Sequence, residues 1–185
     1  MPQNILLMAT KLYQQKSADT KHSARYTARF PVNLPIDKID LYKWVTEMSN
    51  ADYLSYSKAH KALGSFFKDN VFYTVNVENI GNETIVQNYE MKYHSPHHVQ
   101  FYSPNSVAYI LRWFPATVGV PWEMQVKSTS DNTSELVCLI GADFPNWFLK
   151  LGAWLNGLGG YFLTRHLKQE GKAFARDIEK KFGTV

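Results

Sequence analysis

The stretch PNWFLKLGAWLNGLGGYFLTRHLKQEGKAFARDIEKKF, residues 145–182, decides how this chain is read. Pro145 opens it and Gly183 follows Phe182 as a stop signal. Trp147, Leu151, Trp154, Leu158 and Phe162 recur at three- and four-residue steps, and Leu155 widens the stripe. Beyond Gly159-Gly160 the stripe narrows to Leu167, Phe174, Ile178 and Phe182, and charges occupy the other face. This period predicts one long C-terminal helix with a bulky apolar face. Glycine costs about 1 kcal/mol relative to alanine inside a helix. Gly157, Gly159 and Gly160 therefore mark a bend, a gap or a close approach.

A helix of this kind needs a surface to lie on, and the preceding residues supply one. From Val71 to Ala142 short alternating segments are separated by turn signals such as Gly81-Asn82, Ser95-Pro96, Pro104-Asn105 and Ser130-Asp131-Asn132. They predict six strands at 71–77, 85–93, 99–103, 107–114, 120–127 and 135–142, joined as an antiparallel meander. Alternation assigns one nearly uncharged face to Val71, Tyr73, Val75 and Val77, then Ile85, Gln87, Tyr89, Met91 and Tyr93. The same face continues through Val99, Phe101, Val107, Tyr109, Leu111, Trp113, Val120, Trp122, Met124, Val126, Leu136, Cys138, Ile140 and Ala142. Asn76, Asn88, Glu90, Lys92, Arg112, Glu123, Gln125 and Lys127 are assigned to the other side. Further upstream, Arg25 to Val32 alternates as a first strand. A helical period then runs from Ile36 to Met48, and a second helix, capped by Asn50 or Asp52, runs through His60 to Leu63 and ends at Gly64. Residues 1–21 are mixed and polar and are expected to be poorly ordered or on the surface. Residues 22–185 are expected to form a single domain.

A strand, two short helices, an antiparallel meander and a long terminal helix form an α+β order that resembles the helix-grip fold. The chain thus resembles the START/Bet v 1-like (SRPBCC) superfamily, which includes polyketide cyclase-like and lipid-transfer proteins. The residues that carry this are the strand-to-helix opening Phe30-Pro31-Val32-Asn33-Leu34-Pro35-Ile36-Asp37-Lys38-Ile39 and the C-terminal Arg165-His166-Leu167-Lys168-Gln169-Glu170-Gly171-Lys172. The resemblance spans roughly residues 22–182 and rests on element order. It implies a curved sheet gripping the long helix, with a hydrophobic cavity between them, and it carries no universal catalytic signature.

Composition bounds the function. The chain has 185 residues, enough to bury a sizeable core, and 15% of them are aromatic. Cys138 is the only cysteine, so an intramolecular disulfide and a thiolate cluster are both excluded. A reducing, cytoplasmic location is expected. The net charge of +4 includes no long run of like charges, and no nucleic-acid partner is expected. The most apolar window, Trp147 to Leu163, is broken by Lys150, Asn156 and four glycines, so no transmembrane segment is expected.

The expected ligand is a hydrophobic or amphiphilic small molecule, lipid- or polyketide-like. Tyr73, Tyr89, Tyr109, Trp113, Trp122, Met124, Trp154 and Leu158 are its expected lining, because inward tyrosines suit a ligand with a few polar atoms. The alternative is a cyclase- or dehydratase-type enzyme on the same scaffold, with His60 or His166 as acid–base group. A further alternative is a module that docks on a protein or anionic membrane through its basic ends. No nucleophile-elbow, phosphate-loop or dinucleotide motif occurs. His94, His97 and His98 surround a turn at Pro96 and are read as exposed rather than metal-binding. No cofactor and no metal are expected, and the sequence leaves the oligomeric state open.

Overall fold

The computed structural model describes residues 22–110, 113–155 and 160–183. Seven strands form one antiparallel sheet: β1 (Ser23–Val32), β2 (His60–Lys68), β3 (Val71–Ile80), β4 (Glu83–Ser95), β5 (His98–Ile110), β6 (Phe114–Ser130) and β7 (Thr133–Asp143). Their order across the sheet is β1-β7-β6-β5-β4-β3-β2, so the first strand closes against the last. Between β1 and β2 come a 3-10 turn (Ile36–Lys38) and two short helices, α1 (Leu41–Thr46) and α2 (Asn50–Tyr56). The C-terminal stretch holds α3 (Trp147–Leu155) and the long α4 (Tyr161–Phe182). This is the expected helix-grip order. None of the described helices is long and apolar enough to cross a membrane.

Local chemistry explains the ends of the elements. Asp40 caps α1 by accepting from the Lys43 amide, and Ser49 and Asp52 form a capping box at the start of α2. Asp69 and Asn70 both adopt positive φ, 50° and 61°, which turns β2 into β3 in two residues. At the start of α3, Asn146 accepts from the Leu149 amide. Gly160 is extended, with φ 176°, so α4 begins afresh at Tyr161 rather than continuing α3. The single helix expected from Pro145 is thus two described helices, one ending at Leu155 and the other starting at Tyr161.

α4 lies across the sheet and buries Leu163, Leu167, Phe174 and Ile178. A Cβ on Gly171 would overlap the Phe30 ring, so only glycine allows this approach to β1. Trp44 and Tyr56 both donate to Asp177 Oδ2, at 2.8 and 2.7 Å, which joins α1 and α2 to the helix. The rings of Trp44, Tyr56 and Trp122 surround Phe174, with centroids 5.1 to 6.3 Å away.

Three sequence expectations are corrected. The second helix stops at Tyr56, and His60 to Lys68 is an edge strand paired with β3. The two segments expected at 99–103 and 107–114 are mostly one strand, β5, with a bulge between Ser103 and Ser106. There Ser103 Oγ accepts from the Asn88 amide and from Ser106 Oγ, replacing ladder bonds at the bulge. One extra residue shifts the alternation, so Ala108 faces in while Tyr109 faces out. Finally, β3 is reversed. Thr74, Asn76 and Glu78 pair with Tyr89, Gln87 and Ile85, and residues directly opposite share a face. The buried side of β3 is therefore Phe72, Thr74, Asn76, Glu78 and Ile80, and its valines take the half-buried outer side.

Candidate functional site

A polar cluster sits inside the grip, built from three elements that sequence order keeps far apart. His60, the first residue of β2, stands directly opposite Glu78 of β3. His166 and Glu170 lie one turn apart on α4 and face both of them. All four are at least 95% buried. Glu170 Oε2 is 3.0 Å from His166 Nε2 and 3.2 Å from His60 Nε2, and Glu78 Oε2 is 3.4 Å from His166 Nε2.

Tyr53 of α2 supports the cluster from behind. Its hydroxyl donates to Glu78 Oε1 at 2.5 Å, and its ring stacks on His60 with centroids 3.9 Å apart and planes 4° from parallel. Its carbonyl oxygen is 2.6 Å from His60 Nδ1. A carbonyl can only accept, so Nδ1 carries a proton and Nε2 is the atom presented to Glu170.

Electrostatics follows from the burial. Desolvation opposes a charged His166, but Glu170 and then Glu78 outweigh it and raise its pKa. Desolvation likewise opposes an ionised Glu170, and His166 and His60 more than offset it, so its pKa is lowered. His166 and Glu170 are thus an ion pair at neutral pH. Burial, reinforced by Glu78, keeps the Tyr53 hydroxyl protonated as a donor.

Three cavities with shared walls lie in a row that starts at this cluster. The innermost holds about 20 Å³ and is bordered by Tyr53, Asn76, Glu78, Tyr89, Trp122, His166, Glu170 and Phe174. Gln87 and Ile140 border both it and a middle cavity of about 60 Å³, whose other walls are largely aliphatic. That cavity shares Ala108, Val118, Phe144 and Ala153 with an outer one of about 200 Å³, covered by Phe148, Leu149 and Gly152 of α3. The walls are mostly apolar from the outer cavity to Gln87, with buried Glu83 as the one charged side chain among their described residues, and polar at the inner end. Gln87 Oε1 is buried there without a hydrogen-bond partner.

The structure distributes the sequence-nominated residues unequally. Tyr89 and Trp122 border the innermost cavity, and His166 forms part of the cluster wall. His60 belongs to the cluster, although it starts a strand rather than riding on a helix. Met124 is fully buried core and borders none of the three cavities. Tyr73 lies on the outer face, stacked on Phe66. Tyr109, Trp113 and Trp154 are exposed by 38%, 81% and 64%, because the bulge turns Tyr109 outward and α3 directs Trp154 to its open side. Leu158 lies outside the described residues. At the β4–β5 turn His98 pairs with Glu123 at 2.7 Å and His94 stacks on Tyr42.

Glu78 and Glu170 were missed. Glu170 had a signal, since His166 and Glu170 have the four-residue spacing that places both on one helix face. Glu78 had none, because its strand reads with the opposite face inward.

No protein-family profile matches the chain, and no curated protein matches it either. Solved structures do. The Zhui aromatase/cyclase from Streptomyces sp. R1128 aligns with TM-score 0.56 and 8% identity, over 88% of this chain and 94% of that one. A START superfamily protein from Mycobacterium smegmatis aligns with TM-score 0.53 and 13% identity, over 85% and 98%. A protein from Thermus thermophilus reaches TM-score 0.61 at 10% identity, over 86% and 98%. The chain has the START/Bet v 1-like fold. At these identities the likeness extends to the scaffold alone, so the chemistry must come from its own residues.

Proposed function

We propose that this START/Bet v 1-like protein binds an amphiphilic small molecule, apolar body toward α3 and polar end toward His166 and Glu170. The observation that carries this reading is the row of mostly apolar cavities that ends on a buried His–Glu cluster. Gln87 Oε1 offers an unused acceptor at the change from apolar to polar walls, which suits a ligand hydroxyl. Ligand pockets usually enclose roughly 300–1,000 Å³, more than these cavities hold, so binding moves α3 outward. None of the residues of α3 is buried, which makes that displacement cheap.

The test is native mass spectrometry of the protein purified from its own cells, with extraction of whatever it carries. The expected result is a reproducible added mass that is lost in Ala108→Phe, a substitution that fills the outer and middle cavities. A bare protein mass, unchanged after exposure to lipid and polyketide panels, would sink the proposal.

The cluster itself favours a second reading, an enzyme of the cyclase or dehydratase kind. An imidazolium held between two carboxylates at the end of an apolar pocket has the ingredients of a general acid. That reading requires Glu170→Gln or His60→Ala to abolish turnover of a bound polyketide-like substrate while leaving its affinity intact.

A further inference from the structure

We infer that His60, Glu78, His166 and Glu170 form a binding site for a single divalent metal ion of the zinc class. One ligand atom from each residue can be chosen so that all four lie within 4.8 Å of one another. Three of the nitrogen–oxygen separations are 3.0, 3.2 and 3.4 Å. Four ligands at zinc's usual nitrogen and oxygen distances are separated by about 3.3 Å in a tetrahedron. The observed spacing therefore needs only small side-chain adjustments to enclose an ion.

The second observation concerns His166 Nε2. It is buried and makes no hydrogen bond, although carboxylate oxygens lie 3.0 and 3.4 Å away. The distances are short enough, so the contact with each oxygen lacks only the alignment of a hydrogen bond. A metal ion binding between the two carboxylates would displace the proton of the His166–Glu170 ion pair into solvent and take the freed nitrogen as a ligand.

The outer contacts are those that metal sites require. A ligating histidine usually donates its other ring N–H to a carbonyl or carboxylate, and ligating carboxylates are hydrogen-bonded in turn. His60 Nδ1 meets the Tyr53 carbonyl at 2.6 Å, and Glu78 Oε1 receives the Tyr53 hydroxyl at 2.5 Å. One tyrosine thus orients two of the four ligands while its ring holds the His60 plane. Charge also balances: two carboxylates and two neutral imidazoles neutralise a divalent ion in a buried place, where an uncompensated charge is costly. Two nitrogens and two oxygens suit zinc, cobalt or nickel better than calcium or magnesium, which prefer all-oxygen shells. The ion would occupy the inner end of the cavity row, and its binding does not depend on any ligand in the channel.

The probe is zinc ion alone, titrated calorimetrically into the full chain after chelator treatment and dialysis, with cobalt absorption as a second readout. The expected result is one ion per chain and intense visible cobalt bands of a four-coordinate site. Tyr53→Phe, which keeps the stacking ring, should weaken zinc by about 10-fold or more. His166→Gln and Glu170→Gln should weaken it further, while His97→Ala at the β4–β5 turn should have no effect. Circular dichroism of each variant separates loss of the site from loss of the fold. Absence of stoichiometric binding to the unaltered protein would overturn the inference, as would zinc binding that survives both α4 substitutions but not His97→Ala. Ala108→Phe separates this inference from the channel reading. Retained zinc with lost amphiphile supports the metal site, and lost zinc in that well-folded variant counts against a site at this cluster.

Discussion

The two helices of the C-terminal stretch make an instructive pair. α3 is almost wholly apolar, yet none of its residues is buried, and Trp147, Phe148, Trp154 and Leu155 are each more than 60% exposed. α4 is rich in charge, yet it buries eight residues, including His166 and Glu170. Hydrophobicity thus fails to predict which helix is integrated into the fold. What distinguishes them is the complementary surface each one meets. α4 fits the concave sheet through Gly171 and is tied to α1 and α2 through Asp177. α3 rests on the rim, above a cavity rather than a filled core.

The largest test of this contrast is Phe174→Ala. Phe174 is 1% exposed and packs among Trp44, Tyr56 and Trp122, so its loss should cost about 3–5 kcal/mol in urea unfolding. A smaller effect would mean that α4 is less integrated than its burial implies. Asp177→Ala comes next. It leaves the Trp44 and Tyr56 donors without their acceptor and should cost about 1–3 kcal/mol, with no loss of amphiphile binding. At the small end stands Trp154→Ser on α3, expected within about 0.5 kcal/mol of the unaltered protein. A cost near that of Phe174→Ala would erase the contrast and make α3 part of the core. Hydrogen exchange offers a sharper version of the same comparison. Amides of α3 should exchange through local opening, and those around Leu167 and Phe174 only with global unfolding.

The fold was legible because its signals are repeated. Strand after strand alternates, turn residues punctuate them, and the stripe Leu167, Phe174, Ile178 marks the face of α4 that is buried. The site was legible only in part. Trp122 and Tyr89 read inward because no bulge precedes them in their own strands and their neighbours are apolar. Tyr109 was misplaced by a single extra residue at Pro104-Asn105, a shift that alternation cannot register before the pairing is known. Glu78 was invisible for a different reason. A rule that places the more apolar side inward reverses any strand whose buried side must host polar groups, and β3 is such a strand.

The amino-acid sequence by itself determined the first strand and the helical pair after it, the antiparallel meander apart from its edge strand β2, and a long helix with one buried stripe. These follow from periodicity, caps and turn residues, which act over a few neighbours. Only the tertiary structure decided that His60 begins a strand, that Glu78 faces inward, and that both meet His166 and Glu170 across a long stretch of intervening chain. Such a meeting depends on strand register and on how closely α4 approaches the sheet. Both are properties of packing, and no local pattern encodes them.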